Sequence, residues 1–213
     1  MREVIDTIHR LDAARAGNAY LVDAGDRSVL VDTGLASGAE KVVAELAAAR
    51  IPPVTDIVLT HYDPDHVGAA AAVQRATGAT VWLGGADARI LRGDALPPTR
   101  ARRAMLRVRW LGRPELPRLT ELPDDAETEI VPGLVAVPGA GHTPGHHIVR
   151  WRGAAFIGDA ARVSGGRLVH FPGFLISDRA QADATIHAIE SWRPRLILPG
   201  HGAPDRLTPA SPA

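Results

Sequence analysis

Apolar runs of strand length recur along the chain, with polar or glycine-rich breaks between them. NAYLVD (Asn18–Asp23) and SVLVD (Ser28–Asp32) flank a Gly-containing turn, which predicts a hairpin. After Gly34, an apolar stripe of Val42, Val43, Leu46 and Ala49 predicts a helix from about Ala39 to Arg50, with Ser37 as its cap and Pro52 and Pro53 as its stop. DIVLT (Asp56–Thr60) reads as a strand, followed by an alanine-rich helix to about Thr77 and a short strand over Thr80–Leu83. Strand, helix and strand with short connections is the rhythm of a buried sheet covered by helices.

Residues 86–128 interrupt that rhythm with helical pieces at Ala86–Arg92 and Thr99–Leu111 and then a Pro-rich stretch. Strand-like runs return at Leu134–Val137, His147–Trp151 and Ala154–Ile157. Asp178–Trp192 reads as a helix with Ala182, Thr185, Ile186 and Ile189 on one face, and Arg195–Leu198 as a last strand. No repeat or linker divides the chain. The expectation is one domain over residues 1–205, with a helical insert at about 86–120 and a frayed tail over 206–213.

Composition narrows the chemistry. The chain has 213 residues, enough for one domain with a real core, and no cysteine, which excludes disulfides, thiolate zinc sites and a cysteine nucleophile. Lys+Arg and Asp+Glu are equal at 24 each, so no global charge points to nucleic acid. No run approaches the ~18 apolar residues of a spanning helix, and the N-terminus lacks a signal-peptide pattern. These features predict a cytoplasmic protein with no nucleic-acid partner and no stable membrane insertion.

The histidines are not scattered. His61 and His66 follow IVLT, His142 follows LVAVPGAG, His201 follows LILPG, and Asp159 follows AAFIG in the same manner. Strand ends are where open sheets place ligands, so these residues predict one pocket built from several loops. His61, Asp63, Asp65 and His66 put four metal-competent side chains within six residues, and without cysteine the donors must be imidazole and carboxylate.

The sequence resembles the metallo-β-lactamase superfamily. The resemblance rests on VLVDTG (Val29–Gly34), LTHYDPDHVG (Leu59–Gly68), PGAGHTPGH (Pro138–His146), FIGDA (Phe156–Ala160) and LPGHG (Leu198–Gly202), in that order. It implies an α+β fold, the four-layer αβ/βα sandwich, with two mixed β-sheets face to face, helices outside and a metal pocket at one edge. Carried over residue by residue, His61 and His142 match ligands of a first metal. Asp65, His66 and His201 match ligands of a second, and Asp159 the carboxylate that bridges them. Asp32 matches a buried acid supporting the pocket from behind. The usual pattern is His-x-His-x-Asp-His, and here the middle histidine is Asp63. If Asp63 binds, its harder oxygen moves preference from zinc towards manganese or iron; if it does not, the first site is weak and one metal becomes an option, and the sequence leaves both open. The spacing from His61 predicts that Asp63 points into the pocket.

The resemblance implies two divalent ions, zinc first and manganese or iron as alternatives, and a metal-bound hydroxide attacking a small ester-like substrate such as a lactone or thioester. Asp65 and Asp159 are ligands first and proton relays second. An iron-dependent oxidoreductase of the persulfide-dioxygenase type and a non-enzymatic metal-binding domain are the competing readings. The sequence predicts none of the C-terminal helical domain of glyoxalase II relatives, the inserted domain of the nucleic-acid-processing branch or the flavin domain of the flavodiiron branch. Of the other histidines, His146 and His147 read as structural and His9 and His187 as surface or helix positions, while His170 reads first as a solvated loop residue near the pocket mouth, with a proton donor or substrate contact as the alternative. The insert carries nine arginines between Ala86 and Leu119. Ala101, Ala104, Met105, Val108 and Leu111 form an apolar stripe there, predicting a packed surface helix with solvated arginines. The functional alternatives are a lid, an anion contact, a homodimer face or a membrane-surface helix.

Overall fold

The computed structural model describes residues 1–105 and 114–207. Seven strands form the first sheet in sequential order: β1 (Arg2–Ile5), β2 (Ile8–Arg10), β3 (Tyr20–Asp23), β4 (Ser28–Val31), β5 (Val54–Val58), β6 (Thr80–Gly84) and β7 (Leu119–Leu122). β1 to β4 pair antiparallel, and β4 to β7 pair parallel through helical crossovers. The second sheet takes β8 (Thr128–Val131), β9 (Leu134–Pro138), β10 (His147–Trp151), β11 (Ala154–Gly158) and β14 (Leu196–Pro199), with β11 and β14 parallel and the rest antiparallel. β12 (Arg162–Ser164) and β13 (Arg167–Val169) make a separate hairpin.

Six helices accompany these strands among the described residues: α1 (Ala39–Ala48), α2 (Pro64–Val67), α3 (Ala70–Thr77), α4 (Gly85–Arg92), α5 (Arg100–Met105) and α6 (Arg179–Trp192). Three apolar clusters order the layers. Tyr20, Val22, Val29, Val31 and Val58 of the first sheet meet Val149, Trp151, Phe156 and Leu198 of the second. The alternate residues Leu21, Leu30, Ile57 and Leu59 face the other way, against Val42 and Leu46 of α1 and Val73 of α3. Behind the second sheet, Ile148, Ala155 and Ile197 pack on Ile189 of α6. Both faces of each sheet are covered, so the central strands read as continuous apolar runs. Each fully buried Val, Leu or Ile contributes about 1.5–3 kcal/mol. The result is the four-layer sandwich of two mixed sheets flanked by helices.

Some elements differ from the sequence reading. Ser37 caps nothing; it lies in a 3-10 turn over Ala36–Gly38, and α1 begins with no side-chain cap. The alanine-rich helix is α3, as expected, but Pro64–Val67 before it, read as a tight turn, forms the short helix α2. β1, β2, β7, β8, β12 and β13 are three or four residues long and mostly half-buried or exposed. Such short strands, most of them at sheet edges, carry little apolar periodicity and form by pairing with a neighbour. Of the helix expected over Thr99–Leu111, residues 106–111 lie outside the described residues, as do 208–213 of the tail.

Candidate metal centre

The expected donors come together at one edge of the sandwich. His61 follows β5 and Asp63 immediately precedes α2, whose first turn carries Asp65 and His66. Pro64 opens that turn without loss, because the first helical position needs no N–H bond. His142, Asp159 and His201 follow β9, β11 and β14 of the second sheet. Each sheet thus supplies part of the site.

Three donor groups result: Asp65 with His66 and His201, His61 with His66 and Asp159, and His61 with Asp63 and His142, each within 4.8 Å. His201 Nε2 is 3.2 Å from Asp65 Oδ2 and 3.3 Å from Asp159 Oδ2. His66 Nε2 is 3.5 Å from Asp159 Oδ1 and 3.9 Å from Asp65 Oδ2. Donors ~2.0–2.2 Å from a shared tetrahedral ion lie roughly 3.4 Å apart, so these spacings suit a divalent cation. His61 Nε2, His66 Nε2 and Asp159 Oδ1 are buried and have no hydrogen-bond partner, a costly arrangement that a bound cation would resolve.

Asp32 holds the set from behind. Its Oδ2 lies 2.8 Å from His66 Nδ1 and accepts from Thr60 Oγ1 at 2.8 Å, while its Oδ1 accepts from Thr60 N. Thr60 Oγ1 in turn lies 3.1 Å from His61 Nδ1. Both imidazoles are thereby oriented with Nε2 facing the pocket, the arrangement by which outer carboxylates fix metal-binding histidines. Asp32 itself adopts φ +57°, a conformation uncommon outside glycine and Asn/Asp. Gly200 makes a close approach possible: a Cβ there would lie 2.3 Å from Asp159 Oδ1 and 2.7 Å from the His66 ring.

The charges are strongly coupled. Burial alone would lower His66, but Asp32 and Asp159 outweigh it and raise the ring to about 10. Hydrogen bonds to Asp159 and Asp65 raise His201 to about 9. Burial would raise Asp65 and Asp159, yet the surrounding histidines hold both below the usual carboxylate range. Burial pushes His142 down to about 4.

Asp63 points into the pocket, but its partner is an arginine. Arg102 of α5 donates from Nε to Asp63 Oδ1 at 2.9 Å and from Nη2 to Asp63 Oδ2 at 2.9 Å. Its Nη2 is also 2.7 Å from His142 Nε2, and its Nη1 donates to the Leu175 carbonyl. Arg102 is 1% exposed. The expectation of solvated arginines is therefore corrected at this residue: a buried carboxylate demands a cation. The acid at the position where a histidine is usual was the available signal.

Asp87 was also missed. Fully buried on α4, it accepts from Thr143 Oγ1 and Gly145 N at 2.7 Å each and from Tyr62 N at 3.2 Å. It ties the His61 loop to the His142 loop, and burial pushes its carboxyl up to about 6. His170 places its Nε2 2.7 Å from Asp183 Oδ1 of α6, and the adjacent Phe171 has its ring 5.2 Å from that of His142 and 6.1 Å from that of His201. His146 and His147 are buried; His146 stacks on His61 at 5.1 Å, and His147 Nδ1 lies 2.9 Å from the Gly145 carbonyl.

Residues 12–201 match the metallo-beta-lactamase superfamily, and the chain belongs to that family. Over 205 residues it is 27% identical to YobT, an uncharacterised protein of Bacillus subtilis (strain 168), covering 87% of this chain and 82% of that one. It is 34% identical over 143 residues to a hydroxyacylglutathione hydrolase of Anaeromyxobacter dehalogenans (strain 2CP-C), covering 66% of this chain and 44% of that enzyme. The crystal structure of TTHA1623 in a di-iron-bound form superposes with a TM-score of 0.70 at 28% identity, covering 89% of each chain. BLEG-1, a B3 metallo-beta-lactamase, superposes with a TM-score of 0.72 at 20% identity, covering 93% of each, a likeness of fold. Among the described residues no helix is long and apolar enough to cross a membrane.

Proposed function

We propose that the protein is a metal-dependent hydrolase of a small ester-like substrate, a lactone or thioester. The observation that carries this reading is the pair of donor groups that share His66, one with Asp65 and His201 and the other with His61 and Asp159, each within 4.8 Å. Their mixed imidazole and carboxylate chemistry fits zinc, manganese or iron. When bound, such an ion supplies Lewis acidity for a carbonyl oxygen and a water of lowered pKa. The chain's own residues do the rest. Asp32 and Thr60 fix the two imidazoles, Asp65 and Asp159 hold negative charge where a proton must be passed, and Phe171 offers an apolar wall beside the substrate. Nucleic acid is not expected as a partner, given the even charge, and the compartment is taken as the cytoplasm.

The likeness to a hydroxyacylglutathione hydrolase supports the thioester member of this class. A second reading, an iron-dependent oxidoreductase, is favoured by the likeness to a di-iron-bound structure. One experiment separates them: elemental analysis of the purified protein, followed by lactone, ester and thioester panels with added Zn, Mn or Fe. Ester-type turnover with a redox-inert metal supports the hydrolase. Turnover confined to iron, with oxygen consumed, supports the oxidoreductase.

A further inference from the structure

The donor atoms of the position formed by His61, Asp63 and His142 do not face a shared gap. Asp63 Oδ2 and His142 Nε2 are 3.3 Å apart, and Arg102 Nη2 stands 2.9 Å from the first and 2.7 Å from the second. A cation bound to both atoms at ~2.1 Å on the side where Arg102 stands, which the His142 Nε2 lone pair already serves, would overlap that nitrogen. Resting on the reading of these residues as a metal centre, we propose that the Arg102 guanidinium is the resident cation of the first position. The protein then holds a single divalent ion, among His61, Asp65, His66, Asp159 and His201, and Arg102 pins α5 over the pocket.

Charge and geometry support the assignment independently. A guanidinium keeps its charge at any working pH and presents a planar fork that matches a carboxylate. Asp63 receives that fork through both oxygens, with Nε also 3.2 Å from Oδ2. A histidine at residue 63 could not receive it, so the unusual acid and the buried arginine account for each other. Asp63 and Arg102 neutralise one another within a site that excludes water, and a divalent ion added there would face a fixed positive charge at contact distance. The remaining anchor, from Nη1 to the Leu175 carbonyl in the 3-10 turn over Gly173–Leu175, joins the insert to the loop that carries Phe171. His61 Nε2 stays unpartnered and lies within 4.8 Å of the His66 and Asp159 donors, so it can serve the one remaining ion.

The test is stoichiometry, which needs no substrate. The wild-type chain is titrated with Mn(II) to saturation, desalted and measured by elemental analysis, and its EPR spectrum is recorded. One equivalent and an isolated-ion spectrum are expected. Arg102→Met should take up a second equivalent and give the spectrum of a coupled pair. Because that variant strands Asp63, the double variant Asp63→His with Arg102→Gln, which restores the usual donor pattern, is measured beside it, with the same doubling expected. Two equivalents in the wild type, or one equivalent in a folded double variant, overturn the proposal while leaving the metal centre standing. No ion bound at any concentration overturns both.

Discussion

The two halves of the pocket carry the same kinds of donor and have opposite surroundings. Around His66, the carboxylates of Asp65 and Asp159 face imidazoles and no fixed cation, and several donor atoms are unpartnered. Around His142, one carboxylate is matched by a buried guanidinium and the neighbouring imidazole is neutral. The carboxylates of the first half are met by imidazoles that can give up their protons, and the carboxylate of the second by a guanidinium that cannot. The lesson is that a ligand pattern read along the chain gives donor types, whereas occupancy depends on what the rest of the fold places opposite them.

The largest effect is expected from Asp159→Ala. Removing the carboxylate shared by His66 and His201 should abolish stoichiometric metal retention and lower any hydrolytic kcat/KM by about 100-fold or more, measured by elemental analysis and steady-state kinetics. Full metal content with near wild-type turnover would break the comparison from the His66 side. From the other side, Asp63→Asn removes one member of a buried ion pair and leaves Arg102 uncompensated. A loss of about 3–5 kcal/mol is expected in denaturant unfolding, while metal uptake at His66 and His201 persists.

Asp32→Asn should act more gently. It removes the charge that orients His66, and metal affinity should fall about 10–100-fold in chelator competition. The pH dependence sharpens the contrast further. His66 and His201, raised to about 10 and about 9, are protonated at neutral pH without an ion. Binding must expel those protons, so affinity should rise with pH through that range, with proton release measurable in unbuffered titrations. Stability of the metal-free protein runs the other way. A raised histidine contributes fully below its ordinary value of 6.5, and the contribution is lost as pH climbs through 9–10. The lowered Asp65 and Asp159 contribute above 3.8 and are lost on acidification. The gap in melting temperature between metal-loaded and metal-free protein should therefore widen from pH 6.5 to 9. The smallest effect is expected from His170→Ala, whose half-buried ring pairs with an exposed acid: metal content and melting temperature should match the wild type.

Much of this was legible in the sequence. The central strands and α6 follow from apolar runs and a helical stripe, because burial on both faces leaves its mark in every residue. The donors were legible because each stands just past such a run. Arg102 was not, since its partner lies 39 positions away in sequence, and an arginine among eight others carries no local sign of burial. For a similar reason, Phe171 was not singled out. Adjacent residues on an irregular loop point in different directions, and only the contacts with α6 and the pocket tell them apart. The edge strands stayed hidden because their order comes from backbone pairing.

The division of the donors between two sheets has a mechanical consequence. Asp65 and His66 hang from one sheet and Asp159 and His201 from the other, so a bound ion is a rivet through the seam of the sandwich. Separating the layers then requires breaking coordination before the apolar interface can open. That should slow unfolding more than it speeds folding, so the loaded protein should outlast the stripped one under protease by a wider margin than its equilibrium stability alone accounts for.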